Sequence, residues 1–119
     1  MSAHTSMDRD QLRALCLSLP DAVETFPFEP GVSVFKAPNG RMFGVTVGHA
    51  DPLDISVKCD PERGRALRGE YAGIVEGYHL DKRHWVTITL GGDVPDDLVR
   101  ELVEDSYDLV AAKRPSRAR

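Results

Sequence analysis

Positive charge falls on the tips of two predicted β-hairpins, which gives these residues the clearest chemical use in the sequence. Lys36 and Arg41 flank the first turn, residues 37–40. Lys82 and Arg83 occupy the tip of the second hairpin. Like charges close together at a turn gain nothing from each other. They are explained either as ordinary solvated turn residues or as groups that bind an anion, and two such hairpins have a shape suited to straddling a phosphate backbone.

Two histidines and a tryptophan flank the second tip. His79 and His84 are five residues apart and would be near neighbours across a tight hairpin. They are interpreted as a hydrogen-bonded structural pair, as anion contacts or as a pH sensor, because histidine titrates near neutrality. A metal site is disfavoured, since Asp81 is the one further ligand at hand. Trp85 is interpreted as a packing residue or as a platform for base stacking, which is worth about 1–3 kcal/mol per base.

Two further groups of charged residues have both a chemical and a structural interpretation. The last predicted helix has a stripe of four carboxylates at helical spacing: Asp97, Glu101, Glu104 and Asp108. Such a stripe can hold a hard cation weakly, but a solvated helix face has the same pattern, and we predict the latter. Lys58 lies before a predicted helix start, where it can bind an anion or pair with Asp60 or Glu62.

No motif for catalysis or for cofactor binding is present. The sequence lacks GxxxxGK[ST], GxSxG, HExxH and GxGxxG. Ser106 is predicted on a buried helix face, and no base motif accompanies any serine or cysteine. We therefore predict a protein that is not an enzyme and that uses no metal and no cofactor.

Size and composition indicate one soluble domain. The chain has 119 residues and a mass of 13.1 kDa, which corresponds to a single domain. Fifteen basic and 19 acidic side chains give a net charge of −4, so a nucleic-acid role must rest on a local patch. No apolar run approaches the roughly 18 residues of a membrane span. We expect a cytoplasmic protein in which Cys16 and Cys59 are reduced.

The periodicity of apolar residues predicts an α+β fold with two layers. A first helix is capped by Thr5 or Ser6 and stopped by Pro20. Alternation then predicts strands over 32–36, 41–47, 53–58, 74–79 and 84–90, with Asn-Gly marking the first hairpin. A helix follows Asp60 over about 61–70, and a last helix is capped by Asp93. The result is an antiparallel sheet of about five strands with helices on one face.

The apolar face of the last helix is the clearest periodic signal. Its members are Leu98, Val99, Leu102, Val103, Ser106, Leu109 and Val110. The small Ser106 at its centre predicts a close approach of the helix to the sheet, and Tyr107 lies at its edge. We expect one domain over residues 1–119, ordered over about 8–112, with a basic tail over 113–119.

Several segments resemble the MmcQ/YjbR family of small bacterial proteins. They are LPDAVETFPF (19–28), RMFGV (41–45), KCDP (58–61), GYHLDKRHW (77–85) and SYDLV (106–110), and the resemblance spans about residues 8–113. It implies a fold like that of the frataxin homologue CyaY and DNA binding through a "double wing". The matching positions are His79, Lys82, His84 and Trp85 in the central motif, Lys58 at the strand end, and Ser106 and Tyr107 in the helix motif. Where many members have asparagine this chain has Asp81, whose charge weakens the tip as a phosphate binder.

These observations lead to one main hypothesis and one alternative from another class. The main hypothesis is weak, non-specific DNA binding by a monomer, with the acidic last helix facing away from the DNA. The predicted DNA contacts are Lys36, Arg41, Lys58, His79, Lys82, Arg83, His84 and Trp85. The alternative is a module that binds a small anion, a peptide or a protein partner in a cleft near His79, Trp85 and Tyr107. A third possibility is iron binding on the acidic stripe, as in frataxin.

Overall fold

Helices and strands alternate along the part of the chain that the computed structural model describes, which is residues 7–48, 52–77 and 80–111. In chain order they are α1 (Arg9–Leu17), β1 (Val23–Thr25), β2 (Val32–Lys36), β3 (Met42–Val47), β4 (Asp54–Lys58), α2 (Pro61–Glu70), β5 (Ile74–Glu76), β6 (Trp85–Thr89) and α3 (Asp96–Ala111). No helix in these ranges is long and apolar enough to cross a membrane.

The strands form one antiparallel sheet in the order β1-β2-β3-β4-β6-β5. Helix α2 connects β4 to β5, which lies beyond β6, so β4 and β5 run in the same direction. The predicted α+β fold with helices on one face of an antiparallel sheet is confirmed. The sixth strand, β1, was not predicted. It has three residues between two proline-containing turns, too few to show alternation.

The core lies between the three helices and one face of the sheet. Alternate strand residues such as Phe35, Val57 and Ile88 are fully buried there against Val99 and Val103 of α3. Burying a side chain of this size contributes roughly 1.5–3 kcal/mol. Val86, Ile88 and Leu90 of the last strand region also belong to this core. The core therefore fixes which residues of each strand point to the other face.

The other face of the sheet is termed the open face, and none of the helices packs on it. It carries Val34, Val45, Ser56 and Thr87, which are neighbours in register across β2, β3, β4 and β6. One row nearer the end of the sheet, Lys58 pairs with Trp85 and Lys36 pairs with Met42. These residues alternate with the core residues, and Val34 and Trp85 are buried outside the core cluster.

The first helix begins and ends at residues other than those predicted. Asp8 is its N-cap, in a capping box with Gln11, whose N–H donates to the Asp8 carboxylate at 2.8 Å. Thr5 and Ser6 lie outside the described residues. The helix ends at Leu17, three residues before Pro20, and the N–H of its C-cap Ser18 donates to the carbonyls of Ala14 and Leu15.

The second and third helices correct two further details. Asp60 caps α2 as predicted, accepting from the N–H groups of residues 62 and 63. Asp93 does not cap α3, because its carboxylate accepts from the N–H groups of Ala72 and Gly73 at 2.7 and 2.8 Å. Leu109 was expected on the buried face of α3 but is 47% exposed, since the helix turns it away from the sheet.

Candidate nucleic-acid interface

The two basic hairpin tips project from the same end of the sheet. The first tip, residues 37–41, connects β2 to β3, and the second tip, residues 80–84, precedes β6. Lys58 ends β4 between them, paired with the first residue of β6. In the strand order the tips are three strand spacings apart, or about 14 Å. We term this the basic end: Lys36, Arg41, Lys58, Lys82, Arg83 and His84.

The first tip is a hairpin turn fixed by its own backbone and by α3. Gly40 donates its N–H to the carbonyl of Ala37 and has a φ of 85°, a left-handed conformation that favours glycine. The side chain of Asn39 accepts from the N–H of Arg41 at 3.0 Å and donates to the carbonyl of Val110 at 2.8 Å. The Asn-Gly signal thus predicted the hairpin, whereas the contact with the last turn of α3 had no sequence signal.

The second tip is organised by Asp81. Its backbone carbonyl accepts from the N–H groups of His84 and Trp85, and its carboxylate accepts from the N–H of Arg83 at 2.9 Å. The other carboxylate oxygen lies 2.9 Å from the Nδ1 of His84. The hydrogen bond with His84 and then that from Arg83 lower the pKa of Asp81. Asp81 therefore shapes the tip that carries Lys82 and Arg83 as well as adding a negative charge to it.

Ser106 joins α3 to the basic end through its hydroxyl. Ser106 Oγ accepts from the N–H of Lys58 at 2.8 Å and donates to the carbonyl of Phe43 at 2.7 Å. These two backbone groups would bond directly if the β3–β4 ladder continued past the pair Gly44–Val57. We term this arrangement the Ser106 bridge. It confirms the predicted close approach of α3 to the sheet.

Trp85 and Tyr107 lie on opposite sides of the sheet. Trp85 lies on the open face and is 7% exposed. A Cβ added at Gly77 would lie 2.6 Å from the Cβ of Trp85. Tyr107 is on the helix side, where its hydroxyl donates to the carbonyl of Pro20 at 2.5 Å and its ring packs edge-on against Phe43. The structure thus gives both residues packing roles, and the ring of Trp85 has little surface for stacking on a base. His79 lies outside the described residues.

The carboxylates of α3 are exposed on the helix layer, away from the open face. Among them, Glu101 pairs with Arg63 of α2 at 2.7 Å, and Arg63 also pairs with Asp105. These ion pairs raise the pKa of Arg63. Within the described ranges no three or more histidine, cysteine or acidic side chains are grouped to hold a metal ion.

Apart from His84, which pairs with Asp81, the basic residues of the basic end form no ion pair with a described carboxylate. The ion pairs of the described residues involve Arg13, Arg63 and His84. None of them includes Lys36, Arg41, Lys58, Lys82 or Arg83. Lys58 was weighed as a partner of Asp60 or Glu62, and it pairs with neither. The basic end is thus a set of solvated positive charges on three separate connections of the chain.

Comparison with known proteins places the chain in a family. A protein-family model, YjbR, matches residues 17–109. The chain belongs to the YjbR family. It is 32% identical over 118 residues to the uncharacterised protein YbdF of Escherichia coli O157:H7. The alignment covers 93% of this chain and 96% of that protein. It is 40% identical over 63 residues to YyaQ of Bacillus subtilis (strain 168), covering 52% of each. The resemblance seen in the sequence is confirmed.

Solved structures of similar proteins share the fold of this YjbR-family chain. The crystal structure of Deinococcus radiodurans protein DR2400, a DUF419 domain, superposes with a TM-score of 0.84 at 47% identity, covering 90% of this chain and 80% of that one. A crystal structure of a protein from Pseudomonas syringae gives a TM-score of 0.75 at 28% identity, covering 87% of this chain and 98% of that one.

Proposed function

We propose that this YjbR-family chain is a non-enzymatic protein that binds double-stranded DNA weakly and without sequence preference through its basic end. The observation that supports the proposal is the convergence of five cations without ion-pair partners from three connections of the chain. Contacts of lysine and arginine with phosphates position a protein on DNA without distinguishing bases. The proposal also implies a monomer in the cytoplasm, where bacterial DNA lies.

The spacing of the tips suits the dimensions of a duplex. Tips about 14 Å apart can contact phosphates on the two sides of a major groove, which is about 12 Å wide. Lys58 lies between them at the end of β4. The acidic face of α3 lies on the helix layer, although Asp105 and Asp108 line a pocket with Lys58 of the basic end. DNA would therefore approach the basic end from the side of the open face, opposite the helices.

The alternative of a ligand cleft lined by His79, Trp85 and Tyr107 is not proposed. Trp85 and Tyr107 belong to opposite sides of the sheet, and both are buried. A ligand held between them would have to replace β4 or β6.

The salt dependence of DNA binding tests the proposal. In a fluorescence anisotropy titration with a labelled duplex, contacts with four phosphates give a slope of log K against log[salt] of about −3.6 and a dissociation constant of order 10⁻⁴–10⁻⁶ M at physiological salt. The double variant Lys82→Ala/Arg83→Ala loses two of these contacts and lowers the slope to about −1.8.

The matched control removes the same charge from the helix layer. Arg65 and Arg100 are exposed on α2 and α3 and lie in no ion pair with a described residue. The variant Arg65→Ala/Arg100→Ala therefore leaves the slope unchanged. Negligible binding of the parent chain at about 50 mM salt, or equal slopes for the two double variants, rejects the proposal.

Asp81 provides a test in the opposite direction. In Asp81→Asn the side chain still accepts from the N–H of Arg83, so the turn is kept while a negative charge beside Lys82 is removed. We expect tighter DNA binding, with the largest gain at low salt. Asp81→Ala also removes the charge but loses the turn, so its gain is smaller. Weaker binding by Asp81→Asn would contradict a phosphate contact at this tip.

A further inference from the structure

The outer edge of β5 presents backbone groups that no strand of the described residues covers. Gly73 accepts from the N–H of Thr89, and Gly77 donates to the carbonyl of Trp85. In antiparallel pairing the direction of these bonds alternates, so Val75 also faces β6, whereas Ile74 and Glu76 face outward. The N–H of Ile74 bonds to Tyr71. The carbonyl of Ile74 and both backbone groups of Glu76 remain unpaired in the described structure.

A groove of about 540 Å³ lies beside this edge, and its lining contains two basic residues. Its lining includes Arg68 of α2 and Lys82 of the second tip, neither of which pairs with a described carboxylate. The lining also includes Val75, which is 51% exposed. Glu76 is the one acidic residue of the lining. The groove therefore combines unpaired strand groups, an exposed apolar side chain and two basic side chains.

We propose that the outer edge of β5 binds an extended peptide with an apolar centre and acidic flanks, which adds to the sheet as a seventh strand. Its backbone pairs with the outward groups of Ile74 and Glu76, since strand addition derives its affinity from main-chain hydrogen bonds and its selectivity from alternate side chains. An apolar residue of the peptide covers Val75, and its carboxylates approach Arg68 and Lys82.

Charge favours this partner over a second copy of the chain. Two copies paired edge to edge through β5 would bring Arg68 and Lys82 of each copy close to those of the other, and like charges at such distances repel. An acidic peptide neutralises the same groups. The inference does not depend on DNA binding, because the edge groups of Ile74 and Glu76 take no part in the proposed phosphate contacts.

A proline at position 76 tests the proposal selectively. The N–H of Glu76 points outward, so Glu76→Pro removes a donor to the peptide without removing a bond within the sheet. Glu76→Ala is the matched control, since it loses the same carboxylate and keeps the N–H. With a fluorescein-labelled Asp-Glu-Val-Thr-Val-Glu-Asp peptide, we expect Glu76→Pro to bind about fivefold to tenfold more weakly than Glu76→Ala.

Further measurements separate this result from misfolding and from the proposed DNA interface. A peptide N-methylated at its central valine-threonine bond should bind the unaltered chain more weakly, and a peptide with lysine in place of every acidic residue should not bind. The DNA salt slope should be the same for Glu76→Pro and Glu76→Ala. Equal peptide affinity of the two variants, or no binding of the acidic peptide at millimolar concentration, overturns the proposal. Self-association that Glu76→Pro abolishes would also overturn it and assign the edge to a second copy.

Discussion

The hydroxyl of Ser106 is a single buried group on which the register of two strands and one helix depends. In Ser106→Ala the N–H of Lys58 and the carbonyl of Phe43 lose their partner in a site that is 0% exposed. Leaving buried backbone groups unpaired costs roughly 1–3 kcal/mol. We expect the urea unfolding midpoint to fall accordingly.

The control for this prediction is Ser18, an exposed residue whose hydroxyl makes a part-buried hydrogen bond. Ser18 donates to the carbonyl of Leu15 at the end of α1, where water can replace it. Ser18→Ala should change the free energy of unfolding by less than about 0.5 kcal/mol. A Ser106→Ala variant as stable as Ser18→Ala would show that the Ser106 bridge contributes nothing.

At the scale of an element, the packing of α1 determines how stability responds to alkaline pH. Cys16 is fully buried on the inner face of α1, and burial, helped by Glu24, raises the pKa of its thiol from 9.0 to about 12. Below pH 9.0 the thiol is protonated in both states and has no effect on the pH dependence. Above it the unfolded chain ionises first, so each pH unit up to about 12 lowers the free energy of unfolding by about 1.4 kcal/mol.

Urea unfolding at about pH 8 and about pH 10 measures this effect. The unaltered chain should lose more stability between the two pH values than Cys16→Ala, although the variant starts from a lower stability because of its cavity. Comparing how steeply the free energy of unfolding falls with pH in the two proteins removes the contribution of lysine and tyrosine groups, which both proteins contain. If the free energy of unfolding falls equally with pH in the unaltered chain and in Cys16→Ala, the thiol of Cys16 is accessible to water.

Elements with strong local signals were predicted from the sequence, and elements fixed by tertiary contacts were not. Strand β2 shows clear alternation, and α2 has both an aspartate cap and a proline at its start, so both were located correctly. The three residues of β1 form a strand only because β2 offers them a partner. Asp93 resembled a helix cap locally, but it binds the loop before β5, a contact between residues about 20 positions apart.

At the scale of the whole molecule, the described chain ends close to the first tip. Helix α3 reaches the first tip, where Val110 accepts from Asn39, and the sequence after it contains Lys113, Arg114, Arg117 and Arg119. Deleting residues 113–119 should weaken DNA binding and reduce the salt slope by up to about 3.6, since each released counterion contributes about 0.9.

The truncated chain should unfold at the same urea concentration as the full chain, because it keeps every residue that the described structure packs into the core, up to Ala111. If truncation removes all binding, the tail alone supplies the affinity and the hairpin tips supply none. If truncation leaves the salt slope of DNA binding unchanged, residues 113–119 take no part in binding DNA.

The composition of the candidate site was predictable, but its assembly was not. The sequence placed lysine and arginine on two tips, because turn signals and charges are local. That the tips share one end of the sheet follows from the antiparallel order in which β4 separates the two hairpins and α2 crosses beneath β6. Periodicity does not encode strand order. The burial of Trp85 also depends on a contact between strands, the close approach of Gly77. The local sequence contains no signal for that contact.

The amide of Asn39 has a consequence for how the first tip would meet a ligand. By joining the turn to the final carbonyls of α3, it immobilises this tip when the protein folds. Ordering a flexible loop upon association costs conformational entropy, and a preorganised contact avoids that cost. A few solvated charges on a rigid turn can therefore produce measurable association with a polyanion, where the same charges on a loose loop would not.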